Sequence, residues 1–311
     1  MSIKVTNLTK YYGDFLAVDD ITFEVEKGQI LGFLGPNGAG KSTTMKIITT
    51  YLPPTSGTVV VDGLDVEEKS IDVRRKLGYL PELNPLYHDM NVADYLDYIA
   101  ALDGIPKANI KKRREEMIKT CGLDTMRDKS IGEMSKGFKQ RVGLAQAMIN
   151  EPDVLILDEP TSGLDPNQII EIRNLIKKLG REKTVILSTH ILSEVQATCN
   201  RVIIINKGKI VADGTPEDLQ KRSKGESMVI LEVKNSCDKN KLTASIREIR
   251  SVSKVEFIKD TGDSFIFNIH GEKGADLREV VSTKVNQQNA LLLSMQTKQS
   301  SLEDVFRELT K

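Results

Sequence analysis

A glycine-rich loop that ends in a lysine and two hydroxyl residues is the feature of this sequence with the clearest chemistry. It occupies residues 35–43, reads Gly-Pro-Asn-Gly-Ala-Gly-Lys-Ser-Thr, and follows the apolar run Ile30–Leu34, which is typical of a buried strand. Glycines let backbone N–H groups crowd around an anion at dihedral angles that a side chain would forbid. The pattern therefore predicts a polyphosphate cradle at the beginning of a helix, whose positive end faces the anion.

Two side chains of this loop have predicted roles in binding a nucleotide. We expect Lys41 to place its charge near the terminal phosphates and Ser42 to offer its hydroxyl to Mg²⁺. The other residues of the predicted cradle are Gly35, Pro36, Asn37, Gly38, Ala39, Gly40 and Thr43. An accidental glycine-rich turn is the alternative, and the strand before the loop and the helical pattern after it argue against that alternative.

A pair of carboxylates, Asp158 and Glu159, ends the apolar run 154–157. Burying acids at the tip of a strand costs about several kcal/mol of free energy unless a cation compensates. The pair therefore implies a metal or a reacting water. In nucleotide hydrolases the first acid holds Mg²⁺ through water, which is the role we expect of Asp158. We expect Glu159 to orient or deprotonate the attacking water. A helix-capping pair is the alternative interpretation.

The elements that must position these residues alternate between short β-rich runs and helical patterns from residue 2 to about residue 213. This alternation predicts an α/β core with a largely parallel sheet, whose central strands are the apolar runs 30–34, 154–157, 184–187 and 202–206. Residues 3–8 and 21–25 alternate apolar with polar side chains, which predicts antiparallel strands with one solvated face. Residues 92–122 have a helical pattern, with Tyr95, Leu96, Ile99, Ala100 and Leu102 on one face.

A hydrophilic stretch at 220–227 is the predicted linker, and it divides the chain into domains 1–224 and 225–311. The order of patterns after it is β-α-β-β-α-β, which is typical of a small ferredoxin-like α+β domain. A final amphipathic helix follows, and its apolar stripe contains Leu302, Val305, Phe306 and Leu309.

Composition excludes several classes of function. The 44 basic and 44 acidic residues give a net charge of zero, so we expect no nucleic-acid partner. The three cysteines are scattered without a CxxC pair, which disfavours a zinc site and a disulfide framework and suits a reducing compartment. No apolar run reaches about 18 residues and no export signal begins the sequence, so we expect any membrane-spanning part to be on other chains.

Three further motifs resemble those of the ATP-binding cassette (ABC) proteins. Residues 134–142, Met-Ser-Lys-Gly-Phe-Lys-Gln-Arg-Val, resemble the family's signature sequence. Residues 162–165, Ser-Gly-Leu-Asp, resemble its D-loop, and residues 188–190, Ser-Thr-His, resemble its switch histidine. The resemblance covers about the first 215 residues. It implies an ABC ATPase core with an antiparallel β subdomain and a helical signature subdomain at about 85–150.

The resemblance also implies roles for individual residues. Tyr12 matches the aromatic residue that stacks on adenine; Tyr11 could be the stacking residue instead, and a packed turn that contains both tyrosines is the alternative interpretation. His190 matches the residue that contacts the γ-phosphate and holds Glu159. Ser135 and Gly137 match the signature positions that close over the γ-phosphate of a partner subunit's ATP, and Asp165 of the D-loop-like motif is a further expected nucleotide-binding residue. The composite site therefore implies a homodimer or a pair of ABC subunits that bind ATP and Mg²⁺.

Two departures from the family pattern affect the predicted site. Glu82 stands where the Q-loop usually has a glutamine, so a carboxylate able to bind Mg²⁺ also adds negative charge beside the phosphates. In the signature, Met134, Lys136 and Phe138 replace the usual residues, and Lys136 would add positive charge near the partner's phosphates. We expect a working site whose turnover is tuned by these replacements.

The whole chain resembles ATP-binding subunits of multidrug-type bacterial exporters, and more narrowly the gliding-motility-associated subunits of Bacteroidetes. This resemblance implies a peripheral subunit on the cytoplasmic face of the inner membrane that powers export through separate permease subunits. A soluble ABC ATPase of translation, repair or assembly is the alternative. A single lysine loop and the lack of a long heptad segment disfavour the translation and repair classes, and a kinase has no use for the signature, D-loop and switch motifs.

Overall fold

The computed structural model describes residues 2–222, 226–273, 275–298 and 302–310, and their contacts divide the chain into two compact units. The first unit comprises residues 1–216 with 309–311, and the second comprises residues 217–308. The centre of the predicted linker, residues 223–225, lies outside the described residues. The domain boundary after residue 224 therefore stays a prediction.

The first unit begins with strands and ends with a β-hairpin. Its elements in chain order are β1 (Ile3–Tyr12), β2 (Phe15–Val25), β3 (Ile30–Leu34), α1 (Lys41–Ile48), β4 (Ser56–Val61), β5 (Leu64–Asp65), α2 (Ser70–Lys76), β6 (Leu77–Leu80), α3 (Val92–Leu102), α4 (Lys107–Cys121), α5 (Lys136–Met148), β7 (Val154–Asp158), α6 (Pro166–Leu179), β8 (Thr184–Thr189), α7 (Leu192–Thr198), β9 (Arg201–Asn206) and β10 (Lys209–Gly214). Two short 3₁₀ helices, Asp124–Met126 and Ile131–Glu133, lie between α4 and α5.

A six-stranded sheet with the order β10-β9-β3-β8-β7-β6 forms the centre of this unit. All neighbouring strands are parallel except β9 and β10, which form an antiparallel pair. Every residue of β3, β7 and β8 is buried, as expected for strands covered by helices on both faces. The α/β prediction is confirmed, and the carboxyl ends of β3, β7 and β8 meet at one edge of the sheet.

A second, antiparallel sheet with the order β2-β1-β4-β5 confirms the prediction for the opening residues. Ile3, Val5 and Leu8 of β1 are buried, and the ring of Phe23 lies 5.5 Å from that of Phe33 in β3. This contact joins the core of the antiparallel sheet to that of the parallel sheet. Strand β1 continues to Tyr12, so the turn between β1 and β2 consists of Gly13 and Asp14.

The helical pattern at 92–122 is divided between α3 and α4. Gly104, at a φ of +78°, and Pro106 interrupt it, because proline restricts the residue before it to extended backbone. Tyr95, Leu96 and Ala100 are buried as predicted. Leu102, which was predicted for the same face, lies at the end of α3 and is 70% exposed.

The second unit confirms the β-α-β-β-α-β order. Its elements are α8 (Pro216–Arg222), β11 (Glu226–Lys234), α9 (Lys239–Arg247), β12 (Val252–Asp260), β13 (Ser264–Lys273), α10 (Arg278–Gln287), β14 (Leu292–Lys298) and α11 (Leu302–Leu309). The sheet has the order β12-β13-β11-β14 and is antiparallel throughout. Residues of α9 and α10 share one apolar core with the sheet, and Leu302 and Val305 of α11 are buried.

None of the helices in the described parts of the chain combines the length and apolar character that a bilayer crossing requires.

The three cysteines differ in environment, which leads to a prediction about their reactivity. Burial raises the pKa of the Cys121 and Cys199 thiols to about 12, whereas Cys237 is only partly buried. A raised pKa leaves less of the nucleophilic thiolate at pH 8. We therefore expect iodoacetamide to modify Cys237 well before the other two cysteines, as followed by mass spectrometry. The Cys237→Ser variant should lack the fast phase, and equal labelling of all three in the folded protein would contradict the structure.

Candidate active site

A cleft of about 540 Å³ opens at the carboxyl edge of the parallel sheet. The structure brings ten of the predicted site residues to its wall, namely Tyr12, Asn37, Gly38, Gly40, Lys41, Ser42, Thr43, Glu82, Glu159 and His190. Phe15 and Ala17 also line the cleft and were not predicted, and so does Ser162, the first residue of the D-loop-like motif. The glycine-rich loop and the end of the acidic strand therefore face one shared space.

The loop between β3 and α1 is shaped by close approach of the backbone. Gly40 has a φ of +103°, and a Cβ there would lie 2.6 Å from the carbonyl oxygen of Ala17. Gly38 has a φ of +78°, and a Cβ at this position would have no atom within 4 Å, so the loop leaves open space beside it. Gly40 caps α1 without any side-chain hydrogen bond, and no acidic residue lies in the first turn. The N–H groups that begin α1 are thus available to an anion.

Lys41 is held by groups of its own chain. Its Nζ donates to the carbonyl oxygens of Gly35 at 2.8 Å and Pro36 at 3.3 Å, and it lies 3.6 Å from Oε1 of Glu159. The side chain is 5% exposed. A phosphate that enters the cleft competes with these oxygen atoms for the same ammonium group.

Glu159 lies between two nitrogen groups, the ammonium of Lys41 and the imidazole of His190. Its Oε2 is 2.9 Å from Nδ1 of His190, while Oε1 faces Lys41. Its backbone adopts a φ of +49°, a left-handed conformation that is uncommon for a residue with a side chain, and its N–H donates to the carbonyl of Ser188 at 2.9 Å. His190 is half exposed, so the pair has its carboxylate inside and its imidazole toward the cleft.

Asp158 provides the test of whether this site suits a metal ion. Its side chain is 2% exposed, and its Oδ1 has no hydrogen-bond partner among the described residues. Burial and, next in size, the charge of Asp158 raise the pKa of Tyr79 above its ordinary value. Asp158 is not among the residues that line the cleft, whereas Ser42 is. The unpartnered carboxylate oxygen of Asp158 and the hydroxyl of Ser42 are oxygen donors of the kind that Mg²⁺ prefers. The residues present therefore fit this ion.

The aromatic side of the cleft is formed by Tyr12 and Phe15, which are 45% and 63% exposed. Tyr11 is not among the residues lining the cleft. The Nζ of Lys10 lies 5.6 Å from the centre of the Tyr12 ring. Of the two tyrosines, Tyr12 has the better position for stacking on a base. Phe15 was missed because only the pairing of β1 with β2 brings it beside Tyr12.

Glu82 lines the cleft from the segment after β6 and is exposed. Two residues further on, Asn84 donates through Nδ2 to the carbonyl of Lys139 in α5 at 3.3 Å. A Cβ on Gly143 would overlap this amide, so α5 and the segment are in direct contact. The segment that carries Glu82 is thereby joined to the helix that begins after Ser135.

The remaining predicted residues lie outside the cleft of a single chain. Gly35, Pro36 and Ala39 shape the loop from behind; a Cβ on Gly35 would lie 2.4 Å from the carbonyl oxygen of Ile205. The other three are at the beginnings of helices: Ser135 caps α5 and Asp165 caps α6 through side-chain hydrogen bonds, and Gly137 is buried against Gln168. Their predicted roles at the ATP of a partner subunit stay predictions.

Comparisons with known proteins show which family this chain resembles. A model of the family described as ABC transporter matches residues 18–162. The bacitracin transport ATP-binding protein BcrA of Bacillus licheniformis is 34% identical over 309 residues, which cover 99% of this chain and 96% of BcrA. The probable multidrug ABC transporter ATP-binding protein YbhF of Escherichia coli is 39% identical over 225 residues. That match covers 71% of this chain, but the chain spans only 38% of the length of YbhF.

A solved structure has the same fold. It is a dimeric, post-hydrolysis state of the ATP-binding cassette MJ0796 bound to ADP and phosphate, and it matches with a TM-score of 0.63 at 25% identity. The match covers 68% of this chain and 98% of that one.

Replacement of Gly40 tests the cradle. Gly40→Ala would place a methyl group against the carbonyl of Ala17, so the loop must shift, and we expect ATP affinity to fall more than about tenfold in calorimetry. Gly28→Ala is the matched control, because Gly28 also has a positive φ, +72°, but no atom within 4 Å. It should cost about 1–2 kcal/mol of stability and leave ATP affinity unchanged. Equal affinity of the two variants would contradict the assigned cradle.

Proposed function

The chain belongs to the ABC transporter family, and from that membership we propose that it hydrolyses ATP to power export through membrane subunits on other chains. The observation that carries the proposal is the carboxylate of Glu159, held between Lys41 and His190 at the wall of the cleft. This arrangement places a base beside the cation expected to bind the terminal phosphate. The membership itself accounts for ATP binding and ATPase activity.

The proposed reaction begins when the phosphates of ATP displace the oxygens that hold Lys41. Backbone N–H groups of the loop then receive the phosphates, and Tyr12 and Phe15 offer their rings to the adenine. Glu159 loses its contact with the ammonium and becomes available to accept a proton from the attacking water. His190 keeps the carboxylate in position and presents its other ring nitrogen to the γ-phosphate.

We further propose that Ser42 and Asp158 hold Mg²⁺, with Glu82 at the edge of the same site. The ion would supply charge neutralisation for the phosphates when bound. The support is the donor chemistry of these residues and the unpartnered Oδ1 of Asp158 in the described part of the chain.

The proposed partners are a second ATP-binding subunit and separate permease subunits. Ser135, Gly137 and Asp165 are outside the cleft of one chain, and another copy would bring such residues to it from the opposite side. The proposed location is the cytoplasmic face of the cell membrane. The family membership supports this location and the permease partners, and the dimeric cassette of similar fold supports pairing with a second ATP-binding subunit.

The proposed cargo class is a drug or antibiotic. BcrA and YbhF are named for bacitracin transport and for probable multidrug transport, and BcrA matches nearly the whole of this chain. The narrower proposal is a subunit of the gliding-motility-associated type, for which the support is the overall likeness of the sequence. Residues 225–311 would then act as an accessory domain, because the motifs of the nucleotide site all precede them.

Replacing Glu159 tests the proposed base. We expect Glu159→Gln to lower ATP turnover about 10²–10⁴-fold, because the amide cannot accept the proton from water. ATP binding should persist, since Gln leaves the glycine loop intact and removes an anion that competes for Lys41. Phosphate release would measure turnover, and light scattering with ATP should detect a trapped dimer. Glu182→Gln, at an exposed site on the surface, is the control; turnover of both variants at the rate of the unmodified protein would remove Glu159 from its role.

Glu82→Gln tests whether the acid at the usual glutamine position repels the nucleotide. Removing one negative charge from the cleft should give equal or tighter MgATP binding, because like charges a few ångströms apart repel. Calorimetry of the purified variant would measure the affinity. Weaker binding of MgATP with unchanged binding of metal-free ATP would instead identify Glu82 as a metal ligand.

A further inference from the structure

Glu194, in the first turn of α7, is a buried acid that belongs to none of the nucleotide motifs. Glu194 belongs to the first unit and is 2% exposed. Within the described parts of the chain, no lysine, arginine or histidine forms an ion pair with it. A carboxylate buried without a cation costs free energy, which hydrogen-bond donors offset only in part. Its position therefore needs an explanation other than stability.

Two threonine hydroxyls donate to this carboxylate. Thr161 Oγ1 donates to Oε1, and Thr189 Oγ1 donates to Oε2 at 2.9 Å. Both threonines are buried, Thr161 at 4% and Thr189 at 0% exposure. Thr189 Oγ1 also accepts the backbone N–H of Ile191 at 3.0 Å, which fixes the direction in which the hydroxyl donates. The carboxylate is thus a bridge with one oxygen for each threonine.

The two threonines belong to the two segments that carry the reacting pair. Thr161 follows Glu159 by two residues, and Thr189 directly precedes His190. The ladder between β7 and β8 pairs Asp158 with Ser188, and the N–H of Glu159 adds one more bond to Ser188. β7 ends at Asp158, whereas β8 continues by one residue to Thr189, which pairs with Leu34 of β3. The bridge through Glu194 continues the connection where the ladder ends.

We propose that Glu194 is a positioning residue that sets the distance between Glu159 and His190 by tying the segment after β7 and the end of β8 to one carboxylate. The proposal rests on the proposed roles of Glu159 and His190. A carboxylate is suited to this task because it accepts two hydrogen bonds in one plane. A glutamine in its place offers one acceptor and one donor, so it cannot accept from both hydroxyls: one threonine must turn to accept from the amide, and its own proton then loses its acceptor. Displacing a reacting group by about 1 Å can cost about a hundredfold in rate.

Kinetics of the full-length protein test this role. We expect Glu194→Gln to lower kcat for ATP hydrolysis about ten- to a hundredfold and to leave KM and ATP affinity within about twofold, because the Lys41 cradle is untouched. Thr161→Val and Thr189→Val should each lower kcat in the same way. Combined with Glu194→Gln, either should add little, since the bridge is already broken. Thr198→Val is the matched control: this buried threonine is on α7 too, but its hydroxyl makes no hydrogen bond to the described residues, so kcat should not change.

A spectroscopic measurement separates positioning from a loss of folding. The chain has three histidines, so their imidazole NMR signals are few enough to assign by substitution. In Glu194→Gln, the His190 signals should move toward those of Glu159→Gln, while the His88 and His270 signals stay in place. If Glu194→Gln fails to fold, as judged by circular dichroism, the two threonine variants decide by the same readouts.

The outcomes distinguish this inference from the function it rests on. Unchanged kcat in Glu194→Gln and in both threonine variants, together with loss of activity in Glu159→Gln, would overturn the positioning role alone. A fall in kcat matched by an equal loss of ATP affinity would also overturn it. Full activity of Glu159→Gln would instead overturn the assignment of the base.

Discussion

The shared contact of one carboxylate with a lysine and a histidine imposes the most demanding constraint on this fold. Lys41 begins α1, Glu159 follows β7, and His190 follows β8, so three segments far apart in sequence must end within a few ångströms of one another. Parallel strands are suited to this because their carboxyl ends lie at the same edge of a sheet. The order β3-β8-β7 places these ends side by side, and the helices that cover both faces follow from that parallel arrangement.

The cradle for phosphate depends on more than its own glycines. The carbonyl of Ala17, in the antiparallel sheet, excludes a side chain at Gly40, and the carbonyl of Ile205, in β9, excludes one at Gly35. Backbone hydrogen bonds continue this contact, because Gly208 donates to Ala39 and accepts from Asp19. The loop is therefore held from two directions by neighbouring strands. This explains why the antiparallel sheet, which supplies few of the reacting groups, is part of the site.

Features with a local cause were predictable from the sequence, and features with a long-range cause were not. The glycine loop, the acidic strand end and the buried strands each follow from residues adjacent in sequence. In the sequence Glu194 is a single acid in a polar helix, and only the fold brings the threonines of two other segments to it. The break between α3 and α4 has a local cause, because Gly104 and Pro106 are residue types that end helices. It was not predicted, since a helical pattern of residues continues on both sides of it.

The contacts that Lys41 makes within its own chain affect the free energy that this residue can contribute to nucleotide binding. The ammonium lies near an anionic partner and donates to two carbonyl oxygens of its own chain. Binding thus exchanges one set of charge contacts for another, and the gain from this one cation is smaller than its charge suggests. The selectivity of the site for a polyphosphate must then come largely from the row of backbone amides, whose arrangement is independent of ionic strength. Such a site discriminates by the shape of the anion more than by its total charge.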